Sequence, residues 1–231
     1  MLRVSLLGEV ALELDGQALA PPASPAARAL LGWLALHPGA HSRADLAAQL
    51  WPELGEDEAR ATLTTALSQL EVTLGDGGAR QLVATREDVE LAGGPGLWVD
   101  AREFAALADA GDLGEAAALS RDELLETLDG DWVDDARAAH RARLLGVLEG
   151  LAAAAEQGGD LEAAARWTRE QTALDPLSEE RHRALILRLD AVGDRAGAIL
   201  AYERLRERLR SDLRIKPSAE TRALVERLGH R

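Results

Sequence analysis

Gly159-Asp160-Leu161-Glu162-Ala163-Ala164 recurs as Gly193-Asp194-Arg195-Ala196-Gly197-Ala198, 34 residues further on. In each copy the Gly-Asp pair ends one helix and starts the next. The small Ala164 and Ala198 let paired helices approach closely. A third, weaker copy stands at Gly111-Asp112-Leu113-Gly114-Glu115-Ala116. Asp175-Pro176 and Lys216-Pro217 close helices, because proline has no N–H to continue one.

A period of 34 residues is that of tetratricopeptide-like helix pairs. From Asp100 onward the chain is alanine-rich and helical in pattern, with a plain helical bundle as the alternative to a stacked repeat. Residues 1–99 read differently. Val4, Leu6, Val10, Leu12 and Leu14 alternate as in strands, with Asp15-Gly16 as a hairpin turn. Ser24-Pro25 pairs an N-cap with a proline in the first helical turn, opening a helix that stops at His37-Pro38-Gly39. Ser42-Arg43-Ala44-Asp45 starts a short second helix, ended by Pro52. A third begins in Glu56-Asp57-Glu58, where acidic groups favour the positive end of the helix dipole, and runs to Leu74. Short strands follow at Leu82–Ala84, Val89–Leu91 and Leu97–Val99, with Gly93-Gly94-Pro95-Gly96 as the tip of a wing. Strands, three helices and a hairpin make a winged helix. The expected fold is mainly α with a small β component: a winged-helix domain at residues 1–99, then an all-α tetratricopeptide-like helical repeat domain at 100–231.

The chemistry inventory is short. Among 231 residues there is no cysteine, which excludes disulfides, thiolate nucleophiles and Cys-ligated metals. The single lysine, Lys216, follows Ile215 rather than glycine, so no phosphate-binding loop of the G-x-x-x-x-G-K type exists. No G-x-S-x-G occurs. His37 and His41 are separated by Pro38-Gly39 and read as exposed loop residues rather than metal ligands. Asp129-Gly130-Asp131 with Asp134-Asp135 lacks the ligand spacing of a calcium loop and reads as a solvated acidic loop, with Ser120-Arg121-Asp122-Glu123 nearby as a helix cap. Trp33, Trp51 and Trp98 read as core or module-contact residues. No catalytic group, cofactor or metal site is expected. No apolar run reaches the ~18–20 residues that span a bilayer, and the start is too short for a secretory leader, so the expected compartment is the cytoplasm, with no membrane partner.

Taken together the two halves resemble the bacterial transcriptional activator domain family, including the Streptomyces antibiotic regulatory proteins. The residues carrying the resemblance are Leu6-Leu7-Gly8 with Asp15-Gly16, the stretch Ala29 to Gly39, and Ala47-Ala48-Gln49-Leu50-Trp51-Pro52. Trp98-Val99-Asp100 with Phe104, then Ala198 to Leu205 and Pro217-Ser218-Ala219-Glu220-Thr221, extend it to the end of the chain. The resemblance implies a DNA-binding transcriptional regulator, an activator, that places its third helix in the major groove. It also implies that the helical domain serves dimerisation and contact with RNA polymerase or a regulatory protein.

Taking Ala59, Leu63, Ala66, Leu67, Leu70 and Leu74 as buried leaves the candidate DNA-binding face: Arg60, Thr64, Thr65, Ser68 and Gln69, with Arg43, Arg80 and Arg86 near the backbone. Family members carry several arginines on that face, in the region of positions 64, 65, 69, 71 and 72. Here those positions are Thr, Thr, Gln, Glu and Val. Residues 1–99 hold six Arg against thirteen Asp+Glu, and the whole chain has a formal net charge of −14. Phosphate neutralisation supplies most non-specific affinity for DNA, so this face is electrostatically poor. The alternative reading keeps the fold as a protein-interaction or adaptor module without DNA. The arginines from Arg204 to Arg210 spread around one helix, which suits salt bridging to acidic neighbours.

Overall fold

The computed structural model describes residues 1–229, which divide into two compact units, Met1–His140 and the residues from Arg141 onward. The first unit opens with β1 (Leu2–Ser5), β2 (Ala11–Leu14) and β3 (Gln17–Leu19), then α1 (Pro25–Leu36), β4 (His41–Ser42), α2 (Arg43–Leu50) and α3 (Glu56–Gly78). It continues with a 3-10 turn, β5 (Leu82–Ala84), β6 (Asp88–Leu91), β7 (Leu97–Val99), α4 (Asp100–Ala110) and α5 (Leu113–Leu119). Helix α6 (Asp131–Gln157) contains the division at residue 140.

Local chemistry sets these boundaries. Asp15 and Gly16 both take positive φ, the requirement of a two-residue hairpin between right-twisted strands. Ser24 accepts from Ala27 N at 3.1 Å and Ser42 from Asp45 N at 3.0 Å, capping α1 and α2. One sheet has the order β3-β2-β1-β7 and a second β4-β6-β5. Leu2, Val4 and Leu6 from β1 and its extension meet Leu30, Leu31 and Leu34 of α1, Leu46 and Leu50 of α2, and Leu63, Leu67, Leu70 and Leu74 of α3 in one buried core. This is a winged helix, and the apolar set expected for α3 is the set that is buried.

Four local expectations change. The wing is the β5–β6 hairpin, so its tip is Thr85-Arg86-Glu87 and not Gly93–Gly96; the glycine-rich turn instead leads to β7, which leaves the wing to pair parallel with β1. Helix α3 does not stop at Leu74 but breaks at Gly75, whose φ of 58° and ψ of −177° suit glycine alone, and then resumes to Gly78. No helix starts at Ser120; residues 120–130 are irregular, with Leu125 N donating to Leu6 O and Gly8 N to Glu123 O. His37 and His41 are half-buried rather than exposed, because the His37 ring stacks on Trp33 with centroids 3.9 Å apart.

The second unit holds α7 (Leu161–Leu174), α8 (Glu179–Ala191), α9 (Arg195–Arg208) with a π-helical turn at Leu209–Leu213, and α10 (Ala219–Gly229). Gly159 and Gly193 share a φ of 80°, and Asp160 and Asp194 cap the helices behind them by accepting from Ala163 N at 2.9 Å and Gly197 N at 2.8 Å. The 34-residue recurrence is therefore a recurrence of the same helix-to-helix corner. Ala164 and Ala198 are buried, and α8 packs against both α7 and α9. Glu179 joins α10 to α8: its carboxylate accepts from Ser218 N and Oγ and from Thr221 Oγ1. Burial acts to raise its pKa, but those hydrogen bonds and the Arg183 charge outweigh it and hold the carboxyl below its ordinary value.

His140 gives the first unit a pH dependence. It is hydrogen-bonded to Ser120 Oγ at 2.7 Å beside the Phe104 ring, and burial lowers its pKa from 6.5 to about 4. A depressed histidine contributes stability that is complete above its unfolded pKa and is lost as pH falls through the folded one. We expect the unit to lose about 2 kcal/mol between pH 6.5 and 4 from this group, allowing for its partial exposure. His140→Gln, which keeps a polar partner for Ser120 without a titrating ring, should flatten that part of a urea-midpoint-against-pH curve. An unchanged curve would remove His140 as the cause.

Candidate nucleic-acid interface

Helix α2, the turn Trp51–Gly55 and helix α3 form the helix-turn-helix. Pro52 stops α2, Trp51 is buried beneath the turn, and α3 restarts from Gly55. Helical spacing then turns Arg60, Thr64, Thr65, Ser68, Glu71 and Val72 outward on α3, all of them exposed. Val72 is the most open large apolar side chain described, at 82% exposure.

The candidate residues do not all remain free. Thr64 Oγ1 donates to Arg60 O at 2.9 Å and Thr65 Oγ1 to Ala61 O at 3.1 Å, which commits each hydroxyl proton but leaves its oxygen lone pairs open. Arg60 is paired with Glu56 at 2.6 Å. Gln69 is half-buried and accepts through Oε1 from Ser24 Oγ, so its side chain is turned toward the start of α1. Arg43 Nε donates to Thr85 O at 2.9 Å, tying the first turn of α2 to the wing. Arg86, at the wing tip, and Arg80, in the 3-10 turn before β5, are exposed; neither side chain has a hydrogen bond or ion pair among the described residues. Ser68 is likewise open. The structure thus brings Arg60, Thr64, Thr65 and Ser68 onto one face of α3, with Arg86 on the wing.

Carboxylates surround this face. Glu56, Asp57 and Glu58 occupy the first turn of α3, the helix end that would otherwise offer N–H groups to a phosphate. Residues 43–91 hold four Arg against ten Asp+Glu. Among the described residues no three His, Asp or Glu side chains converge as a metal site requires, and no helix is long and apolar enough to cross a membrane.

A winged helix followed by Gly-Asp-cornered helix pairs defines a class. The chain belongs to the bacterial transcriptional activator domain family, whose model matches residues 99–228. Its fold is similar to that of EmbR from Mycobacterium tuberculosis, solved in complex with a low affinity phosphopeptide, with a TM-score of 0.72 and 25% identity over 99% of this chain. The chain spans 65% of that EmbR chain, about two thirds of its length. Comparison with curated proteins returned no match. Family and fold are those of transcriptional regulators rather than of enzymes.

Proposed function

We propose that this chain is a cytoplasmic DNA-binding transcriptional regulator, an activator, in which residues 1–99 read the duplex and residues 100–231 serve dimerisation and contact with RNA polymerase or an effector. The observation that carries the reading is the exposed polar face of α3, with Arg60, Thr64, Thr65 and Ser68 side by side and Arg86 on the wing. The Ser68 hydroxyl can donate to a phosphate or a base edge, the Thr64 and Thr65 oxygens can accept from base-edge amino groups, and the two unpaired arginines neutralise phosphate. Four arginines at most per copy predict weak binding with a salt slope of about −3 to −4, which a dimer on two half-sites would double.

The test is fluorescence anisotropy against pooled duplex fragments of the source genome, from low to physiological salt. Arg86→Ala and Arg80→Ala should each reduce the magnitude of the slope by about 1, and Thr65→Ala with Ser68→Ala should relax sequence preference. Gln69→Ala should change affinity less than Arg86→Ala, since its amide is already engaged by Ser24. A folded protein that binds no duplex at any salt would end this reading. The second reading, a protein-docking winged helix, is favoured by Val72 beside Glu71 and by the acidic surround of α3. It would then stand.

A further inference from the structure

Charge is shared unevenly along the chain. Residues 1–140 hold nine Arg against 25 Asp+Glu, whereas residues 141–231 hold 17 Lys+Arg against 15 Asp+Glu. In the second unit a cleft of about 610 Å³ is lined by α7, α8 and α9. Arg169 and Thr172 come from α7, His182 from α8, Arg204 and Arg208 from α9, and Ser211 from the π-helical turn.

Five arginines of this unit are neutralised by its own carboxylates. Arg181 pairs with Asp175, Arg183 with Glu220, Arg188 with Glu156, Arg206 with Glu203 and Arg210 with Glu207. The cleft arginines differ. The side chains of Arg169 and Arg204 have neither a hydrogen bond nor an ion pair among the described residues, and Arg208 has only a long, solvent-screened pair with Asp212 at 3.7 Å. The carboxylate that lines the cleft, Glu207, is held by Arg210 at 2.9 Å. Three arginines line one recess, and a multiply charged anion bound there offsets the mutual repulsion of their like charges.

The lining also supplies hydrogen-bonding groups. Thr172 is 8% and His182 6% exposed. Thr172 Oγ1 donates to Arg169 O, which leaves its lone pairs available. His182 Nδ1 lies 3.0 Å from Ser178 O, a carbonyl that only accepts, so the ring carries its proton there and Nε2 has no partner among the described residues. A phosphate monoester, with a second pKa of about 6, is mainly a dianion at neutral pH whose oxygens accept from arginine, while the His182 Nε2 accepts from its minor protonated form or from a hydroxyl elsewhere on the ligand.

We propose that this cleft binds a small molecule bearing a phosphate group, with the phosphate oxygens held by Arg169 from α7 and by Arg204 and Arg208 from α9. Its volume is that of small-molecule sites, and a DNA duplex, with phosphates on a far wider cylinder, does not enter it. No large apolar side chain lines it to anchor the neighbours of a phosphorylated residue in a peptide. Ala173 and Pro176 offer a small apolar wall to the rest of the ligand. This inference does not rest on the DNA reading.

The test is isothermal titration of the full chain with pyrophosphate, ATP, adenosine and a short phosphoserine peptide. It is repeated with Arg169→Gln, Arg204→Gln and, as a control outside the cleft, Lys216→Gln. Both substituted arginines are exposed and without partners, so the variants should keep the parent circular dichroism. Pyrophosphate and ATP should bind saturably, each Arg→Gln change should weaken them about tenfold, and Lys216→Gln should leave them unchanged. Several outcomes would overturn the proposal: no saturable binding of either phosphate at low millimolar concentration, equal affinity in the Arg variants, or adenosine binding as tightly as ATP. A phosphoserine peptide binding more tightly than both small molecules would also overturn it, and would assign the cleft to a phosphorylated protein.

Discussion

Replacing Asp100 by Asn is expected to destabilise the first unit by about 3 kcal/mol, although the two side chains have nearly the same shape. Asp100 is 6% exposed and stands where β7 becomes α4. Its carboxylate accepts from Leu6 N at 2.8 Å, Leu7 N at 3.0 Å and Ala101 N at 2.7 Å, joining the end of β1 to the start of α4. Burial pushes this carboxyl above its ordinary pKa, and the backbone donors act in the opposite sense without cancelling it. An asparagine has one acceptor oxygen and one NH₂, so one backbone donor would face another donor with no water to intervene. A charge-assisted hydrogen bond is worth about 1.5–3 kcal/mol, and an unmet buried N–H costs about 1–3 kcal/mol more. Urea unfolding followed by tryptophan fluorescence reports the loss, since Trp33, Trp51, Trp98 and Trp132 all lie in this unit and only Trp167 does not. A change below about 1 kcal/mol would mean that the β1–α4 junction does not depend on this carboxylate.

The second large effect is expected at Arg137. Its guanidinium donates to Leu124 O at 2.9 Å, Leu125 O at 2.7 Å and Leu128 O at 2.9 Å, and its side chain is 14% exposed. Those carbonyls belong to the irregular segment 120–130, whose leucines 124, 125 and 128 are buried; its backbone bonding includes one bridge to Leu7 and a turn in which Leu128 N donates to Leu125 O, and Leu124 O and Leu128 O rely on Arg137. Leu125 also holds a φ of 55°, an unfavourable conformation for a side chain branched at Cγ, which the surrounding bonds must maintain. Arg137→Ala should cost about 3 kcal/mol and Arg137→Lys about 2 kcal/mol, because an ammonium group keeps the charge but cannot span three acceptors set out for a fork. The same urea titration measures both. Limited proteolysis should show faster cutting within residues 120–130. If lysine restored full stability, charge rather than fork geometry would be the cause.

Both predictions concern contacts that could not be read from the residues alone. Trp98-Val99-Asp100 was visible as part of a family resemblance, but nothing in the sequence says that the Asp100 carboxylate reaches Leu6 and Leu7, more than ninety residues earlier. Arg137 carries no distinguishing neighbour. On the candidate interface the position of each residue on α3 followed from helical spacing, since a buried stripe at 59, 63, 66, 67, 70 and 74 determines the opposite face. What the side chains do there did not follow. Gln69 sits at the edge of that stripe, and whether it faces a groove or the N-cap of α1 depends on how α1 packs across α3. The phosphate-binding cleft was equally hidden: Arg169 and Arg204 lie 35 positions apart, and in the sequence Arg204 resembles its salt-bridged neighbours.

By itself the sequence determined the helix starts at Ser24-Pro25 and Ser42, the hairpin at Asp15-Gly16, the repeat corners at Gly159-Asp160 and Gly193-Asp194, and the buried face of α3. Each of these is a local matter, because a cap, a positive φ and an apolar period act within a few residues of the chain. Tertiary structure alone decided that Leu97–Val99 pairs with β1 instead of extending the wing, and that residues 120–130 hang on Arg137. It also decided which arginines are neutralised and which stand unpaired around a cleft. An apolar pattern states which face must leave water but not what will cover it, and a hydrogen bond or ion pair between distant residues exists only once packing has brought its two ends together.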